Sequence, residues 1–213
     1  ILKRIFVRSV KFSGLVFMSL AVMQIDYVIM ARTIDASSIT SYNIFNKMFM
    51  FAFYMYSSFL GAFWPTSSEL FHSKNYATLN RLLKKYFYLG IIMMLLFITA
   101  VFIFRNLLID FFASDMDIKV TLSFFVFFGI YYILRVISET YSTFLQSINI
   151  LKIFWIYTPI QAVISIIAQY FLSMKYGING IILGLILSFA LTCFWILPYK
   201  SYKIFKSVKQ INI

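Results

Sequence analysis

The 213-residue sequence has few of the residues that form metal centres and catalytic sites. It contains one cysteine, Cys193, one histidine, His72, and 7 acidic residues against 19 basic ones. A single thiol excludes a disulfide within the chain, and one cysteine with one histidine cannot form a Cys/His zinc site. The sequence also has no Gly-rich phosphate loop and no nucleophile constellation. We therefore expect no metal, no cofactor and no enzymatic activity.

Charge is scarce as well, and apolar residues take its place. Charged residues make up 12% of the chain and hydrophobic residues 62%, whereas soluble domains carry about 25% and about 45–50%. A water-soluble fold could not bury this much apolar surface, so the composition indicates a membrane protein. The net charge of +12 does not indicate nucleic acid binding, because the basic residues form short clusters between apolar runs.

Six apolar runs are long enough to cross a bilayer as helices, which takes about 20 residues. The runs are continuous rather than alternating, and this excludes the strands of a membrane barrel. They lie at about 12–30, 44–64, 86–104, 120–138, 153–174 and 178–197. We expect residues 1–213 to form a single integral membrane domain of the all-α class, with no separate soluble domain.

The basic residues orient these predicted spans. One side of the membrane collects thirteen of them, namely Lys3, Arg4, Arg8, Lys11, Lys74, Arg81, Lys84, Lys85, Lys152, Lys200, Lys203, Lys206 and Lys209. The other side has only Arg32, Arg105, Lys119 and Lys175. Because loops rich in Lys and Arg stay in the cytoplasm, we expect both termini to be cytoplasmic.

Three local patterns predict details of the helices. The polar stretch 66–85 is typical of a cytoplasmic connector, and TSSE at 66–69 has capping-box spacing directly after Pro65, which predicts that a helix restarts there. Gly180 and Gly184 form a small-xxx-small face that predicts close helix packing. Gln161 and Gln169 are the type of amide that forms hydrogen bonds between membrane helices.

Asp26 is the most unusual residue of the first predicted span, with Gln24 close to it. It lies six residues before Arg32, about 9 Å below the outer end of the span. Lys47 lies at a similar depth on the second span, so that the two charges could pair and lower each other's burial cost. Two interpretations stay open. In the structural one, Asp26 and Lys47 form a static bridge between helices, or Lys47 simply turns outward; in the functional one, Asp26 takes part in substrate or ion coupling.

Arg135 and Glu139 form the second charged constellation, on the fourth predicted span. Their i, i+4 spacing places both on one helix face. One interpretation is that they form an ion pair that ends the span. The other is that Arg135 lines a cavity, where its guanidinium group binds two oxygens of an anionic head group. Asp26, Lys47, Arg135, Gln24 and Glu139 are therefore the candidate substrate- or ion-coupling residues.

Three blocks, taken in their order and spacing, carry a family resemblance. They are QIDYVIMARTIDASSITSYNIFNKM, then FWPTSSELF, and then LQSINILKIFWIYTPIQAVISIIAQYFL followed by YGINGIILGLILSFALTCFWILPY. Over about residues 8–205 the chain resembles the C-terminal half of bacterial polysaccharide flippases, the O-antigen or repeat-unit transporters of the MATE-like exporter superfamily. One departure is that family hairpins often carry a glycine where ARTIDASS has none.

The resemblance implies one six-helix lobe of a twelve-helix transporter, with a cationic cavity between two lobes. It implies passage of an undecaprenyl-diphosphate-linked oligosaccharide, an anionic cargo, to the outer leaflet by alternating access. The partners it implies are the lipid bilayer, this cargo and an N-terminal six-helix lobe. Together with the absence of an initiator Met, it leads us to expect a fragment, a truncated gene product or an assembly of two chains.

Three other functions remain open from the sequence. A drug or small-cation exporter of the same superfamily would share the fold, although the sparse acids favour an anionic cargo. An integral membrane enzyme of glycan assembly, such as a polymerase or acyltransferase, would need a polar catalytic loop or a His/Asp cluster. An accessory membrane subunit would tolerate apolar residues at Asp26 and Arg135.

Overall fold

In the computed structural model the chain is a bundle of long helices. The structure describes residues 24–104 and 122–211, together with residues 6, 10, 13, 14, 17 and 107. Residues 24–33 are helical and are called α1. The helices that follow are α2 (Ala36–His72), α3 (Tyr76–Ile103), α4 (Leu122–Ser147), α5 (Lys152–Tyr176), α6 (Ile178–Leu191) and α7 (Cys193–Ile211).

Short polar turns join these helices. Asp35 caps α2, because its carboxylate accepts hydrogen bonds from the Ser38 amide at 2.9 Å and the Ser37 hydroxyl at 2.5 Å. These donors favour the ionised carboxylate and lower the pKa of Asp35 to about 2. The cap is therefore charged at neutral pH, and a hairpin without glycine is held by side-chain capping.

The turns on either side of α5 use left-handed backbone. Asn149, with φ of 62°, lies in the turn before α5, and Gly177, with φ of 57°, is the single residue between α5 and α6. Gly177 combines this φ with ψ of −136°, which only glycine adopts without strain. This reversal folds α6 directly back onto α5.

Helix α4 lies at the centre of the bundle and packs against α2, α3, α6 and α7. Its buried side chains extend along its whole length, from Phe124 to Ser147. The other helices bury one side and present large apolar side chains outward, among them Phe51, Leu96, Ile103 and Phe171. An outward surface this apolar is typical of a protein surrounded by lipid.

Four helices in the described part of the chain are long and apolar enough to cross a membrane: Tyr76–Ile103, Leu122–Ser147, Lys152–Tyr176 and Ile178–Ser207. They correspond to the last four predicted spans, with longer bounds. The predicted span 44–64 lies inside α2, which is not among the four because tyrosine and serine side chains make it less apolar. About half of the predicted span 12–30 lies outside the described residues, and so does most of the interval 105–119 between the third and fourth predicted spans.

The predicted helix restart after Pro65 is wrong. Helix α2 continues through Pro65 to His72, and the connector 66–85 is helical except for the turn at residues 73–75. A proline in a helix removes one backbone hydrogen bond and crowds the carbonyl group four residues earlier, yet α2 stays buried on both sides of Pro65, at Phe63 and Ser67. Thr66 donates its hydroxyl to the Ala62 carbonyl at 3.5 Å, as a residue inside a helix does.

The prediction of close packing at Gly180 and Gly184 is confirmed. A Cβ at Gly180 would overlap the Leu172 carbonyl oxygen, and a Cβ at Gly184 would lie 2.6 Å from the Gln169 amide nitrogen. Both contacts are to the backbone of α5, which cannot move aside as a flexible side chain does. The two glycines therefore set the distance between α5 and α6.

We expect Gly180→Ala to destabilise the protein by about 1–3 kcal/mol, because the added methyl group overpacks the α5–α6 contact. Thermal unfolding of the detergent-solubilised protein, followed by fluorescence-detected gel filtration, measures the change. Gly61→Ala is the matched control, since nothing lies within 4 Å of a Cβ at this exposed position. Equal melting temperatures for the two variants would contradict the packing role of Gly180.

Candidate functional site

Asp26 is buried in the bundle, with 4% of its surface exposed. Its Oδ2 accepts a hydrogen bond from the Tyr42 hydroxyl at 2.5 Å, and its Oδ1 accepts one from the Tyr27 amide at 3.0 Å. Tyr42 lies on α2, so the carboxyl group ties α1 to the neighbouring helix. Two donors reduce the cost of burying this polar group, which would otherwise be several kcal/mol.

The sequence left open whether Lys47 pairs with Asp26 or turns outward, and in the structure Lys47 turns outward. Lys47 is exposed, whereas Asp26 bonds to Tyr42, five residues earlier on α2. Residues five apart on an α-helix differ by about 140° around its axis, so Lys47 points away from α1. The sequence placed the two residues at a similar depth, but depth does not give the rotation of a helix whose hydrophobicity is nearly uniform.

Helix α2 turns one stripe of side chains toward the bundle. The buried stripe alternates steps of four and three residues: Tyr42, Asn46, Phe49, Phe53, Tyr56, Leu60, Phe63 and Ser67. Such alternation is the pattern of two helices that pack along a shallow crossing angle with interlocking side chains. We call this stripe, together with the facing side of α4, the α2–α4 seam.

Aromatic stacking fills the half of the seam nearest the beginning of α2. The Phe49 ring stacks on Phe128 and Tyr132, with centroids 5.6 and 5.4 Å away and interplanar angles of 21° and 27°. Tyr42 contacts Phe128 at 5.3 Å. These rings add dispersion and quadrupole attraction to the contact, and they fix the positions of the tyrosine hydroxyl groups.

Hydrogen bonds cross the same seam. The Tyr132 hydroxyl donates to the Asn46 side-chain oxygen at 2.7 Å, and the Tyr56 hydroxyl lies 2.6 Å from the Thr140 hydroxyl. Further along, Ser147 donates to Ser67 at 2.9 Å. Each buried polar group of α2 named here therefore has a partner on α4, which stabilises helix association inside a membrane.

Arg135 is buried on α4 in the middle of the seam. Its guanidinium carbon lies 4.1 Å from the Phe53 ring centroid and 5.3 Å from that of Tyr132. Aromatic faces stabilise a cation that has lost its water, by about 2 kcal/mol or more. Tyr132 in turn contacts Phe128, which also contacts Tyr42, so that a row of rings connects Arg135 to the hydrogen-bond donor of the buried carboxyl group on α1.

The five candidate residues fall into two groups. Asp26 and Arg135 belong to one buried network, and Glu139 lies half-buried one turn beyond Arg135 on the same side of α4. Gln24 and Lys47 are exposed, on α1 and α2 respectively. The structure therefore brings together three of the five, and it adds Tyr42, Asn46 and Tyr132 as polar residues that touch them or their partners.

The role of Tyr132 and Tyr56 was missed from the sequence, although a signal was present. The steps of four and three from Tyr42 to Ser67 mark the buried stripe of α2. A hydrophobicity average hides this stripe, because all of its members except Leu60 are polar or aromatic. Position in the repeat, and not polarity, identifies the residues of the seam.

A second polar cluster joins α5 to the junction of α6 and α7. The Cys193 thiol donates to the Gln161 side-chain oxygen at 3.2 Å, which confirms the predicted interhelical role of Gln161. Gln169 instead donates to Ser165 within α5 at 2.7 Å. Neither cluster resembles a metal centre: in the described part of the chain no three His, Cys, Asp or Glu side chains lie close enough to hold an ion.

The described helices define an integral, multi-pass, all-helical membrane protein. Residues 13–171 match the MatE family model, and the chain belongs to the MatE family. It is 36% identical over 191 residues to a Salmonella typhimurium protein named "Putative O-antigen transporter". It is 34% identical over 187 residues to a protein of the same name from Salmonella typhi, and 32% over 183 to a "Putative O-antigen export protein" from Yersinia pseudotuberculosis.

These matches cover 86–90% of this chain and 42–44% of the relatives. The chain therefore spans less than half the length of the curated relatives that it matches. No solved structure matches the chain. The family and the relatives' names confirm the resemblance to polysaccharide transporters drawn from the sequence.

We expect Tyr132→Phe to destabilise the protein by about 1–3 kcal/mol, because it leaves the buried Asn46 side chain without its donor. Chemical or thermal unfolding in detergent measures the loss. Tyr170→Phe is the control. It removes the same hydroxyl group from a tyrosine that is 40% exposed on α5. A loss of the same size in the control would mean that the α2–α4 hydrogen bond contributes nothing specific.

Proposed function

We propose that this chain forms the C-terminal lobe of a transporter that moves undecaprenyl-diphosphate-linked oligosaccharide units across the bacterial inner membrane for surface polysaccharide synthesis. In this proposal it contributes six spans, with both termini in the cytoplasm, and a second six-helix lobe completes the cavity. Support comes from membership of the MatE family and from relatives named for O-antigen transport or export. The coverage of under half of each relative supports a single lobe.

The observation that carries the proposal is the buried network of Asp26, Tyr42 and Arg135. Ionisable groups inside a membrane are costly and mark the pathways of substrates and ions in transporters. A purely structural contact between α1 and α2 would need no carboxylate. The Tyr42 hydroxyl donates to the Asp26 carboxyl group, and a charged acceptor makes this hydrogen bond stronger than a neutral one does, so in the proposal a proton on Asp26 weakens the hold of α2 on α1.

Exposed polar residues on one face of α2 support a cavity on that side. Lys47, Tyr54 and Ser58 lie on this face, together with the exposed Phe51, at steps of four and three residues. The exposed face of α3 carries Ile92 and Leu95 instead. Lipid suits the α3 face and disfavours a lysine deep in α2, so in the proposal this face of α2 is turned toward the second lobe and an anionic cargo.

We expect Asp26→Asn, introduced into the complete gene, to reduce surface polysaccharide at least tenfold at normal protein level. Asparagine keeps the size of the side chain and can carry neither the charge nor the proton of the carboxyl group. Surface glycan is measured by immunoblot of whole-cell polysaccharide, and the protein by an epitope tag. Asp35→Asn, which removes an exposed carboxylate outside the network, is the control. Normal glycan display by the Asp26 variant would remove Asp26 from the mechanism.

The proposed topology predicts that residues 36 and 73 lie on opposite sides of the membrane. Ala36→Cys and Ser73→Cys, each in a Cys193→Ser background, place one exposed thiol at each end of α2. An impermeant maleimide added to whole cells should label position 36, and position 73 only after the cells are opened. Labelling of both from the same side would contradict the topology, whatever the cargo.

A further inference from the structure

The exposed face of α3 changes character in three zones along the helix. It begins with the basic residues Arg81, Lys84 and Lys85, all exposed. Tyr88, which is 60% exposed, follows on the same face. Apolar side chains then continue the face at Ile92, Leu95 and Leu96. A face ordered as basic, aromatic and apolar matches the phosphate, interfacial and acyl layers of one lipid leaflet.

Helix α7, together with the end of α6, repeats this order in the opposite chain direction. Leu191, Trp195, Tyr199, Tyr202 and Lys206 follow one another at steps of four, four, three and four residues, which places them on one stripe. Trp195, Tyr199 and Tyr202 are 65%, 66% and 63% exposed. The opposite side of α7 is buried at Leu197 and Ser201. The aromatic stripe is therefore a surface feature and not part of the core.

Helix α4 sets the two faces at the same depth. Phe87 of α3 contacts Tyr141 with ring centroids 5.9 Å apart, and Phe205 of α7 stacks on Phe144 at 5.3 Å and 9°. Tyr141 and Phe144 are three residues apart in α4, about 4.5 Å along its axis. Because α3 and α7 also pack against each other, their basic zones lie at the same end of the bundle and at a similar level.

No acidic side chain on these helices balances the basic zones. The sequence has no Asp or Glu between Glu69 and Asp110 and none after Glu139. The charges of Lys84, Lys203 and Lys206 are thus free to attract anions from outside the helices that carry them. Each lysine or arginine near an anionic leaflet contributes about 1 kcal/mol of attraction, about fivefold in binding.

We propose that the basic and aromatic ends of α3 and α7 form one binding surface for anionic phospholipids, with a preference for phosphatidylglycerol or cardiolipin over zwitterionic lipid. The exposed lysines would contact the head-group phosphate, the Trp195–Tyr202 stripe would lie at the glycerol level, and Leu191 and Ile92 would contact acyl chains. The three-zone order selects a lipid, because a free phosphate ion would use only the basic zone. The inference does not depend on which cargo the transporter carries.

Native mass spectrometry of the complete protein tests the surface. After reconstitution in equimolar phosphatidylglycerol and phosphatidylcholine and return to detergent, we expect the anionic lipid to be retained preferentially. Lys203→Gln/Lys206→Gln should reduce this retention by about fivefold for each lysine removed. Lys152→Gln/Lys175→Gln removes the same charge from exposed sites elsewhere and should retain the lipid, as should Lys203→Arg/Lys206→Arg.

Three results would overturn the proposal. One is equal retention of the two lipids by the unmodified protein. Another is an equal loss of lipid retention in the Lys152/Lys175 control, which would mean that net charge alone explains the effect. The third is displacement of the anionic lipid by inorganic phosphate alone, which would indicate a small-anion site.

Quenching of tryptophan fluorescence locates the surface independently. After Trp64→Phe and Trp155→Phe, Trp195 is the remaining tryptophan of this sequence. It is exposed beside the basic zone of α7. We expect brominated phosphatidylglycerol to quench it at a lower mole fraction than brominated phosphatidylcholine. The Lys203→Gln/Lys206→Gln change should abolish the difference. Identical quenching curves for the two lipids before that change would exclude selection at this face.

Discussion

The contact between α2 and α4 is the one on which the described bundle depends. Inside a membrane, apolar burial gives little drive for helices to associate, so packing and hydrogen bonds must supply it. The seam supplies both, because stacked rings at Phe49 and Tyr132 alternate with hydrogen bonds at Asn46 and Tyr56. Helix α4 then carries the packing outward to α3, α6 and α7.

The network around Asp26 gains its properties from that seam. Tyr42 and Arg135 each belong to the seam, and rings on both sides fix their positions. Helix α1 is held to them by the hydrogen bond from Tyr42 to Asp26, by the edge-on contact of Tyr27 with the Tyr42 ring and by the buried Ile29 and Met30. Under the proposed function, protonation of the carboxyl group would alter the polar part of this contact and leave the apolar part in place.

Sequence reasoning found the class of protein, the last four spans and the glycine contact between α5 and α6, because each depends on composition or local spacing. It placed Asp26 at a depth but could not choose between a pair with Lys47 and a lysine turned outward, since depth follows from counting residues and rotation does not. It also ended at Pro65 a helix that continues. A proline costs one backbone hydrogen bond and crowds the carbonyl group four residues earlier, but α2 stays packed in the bundle on both sides of it, at Phe63 and Ser67.

The outward faces of the helices differ in a way that composition cannot show. Exposed residues on α3 and α7 follow the layers of a leaflet, whereas the exposed stripe of α2 keeps Lys47, Tyr54 and Ser58 along a helix of 37 residues, about 55 Å, that exceeds the thickness of the hydrocarbon core. Lipid suits the faces of α3 and α7 throughout, whereas on α2 it suits the exposed Phe51 but not the lysine and serine beside it.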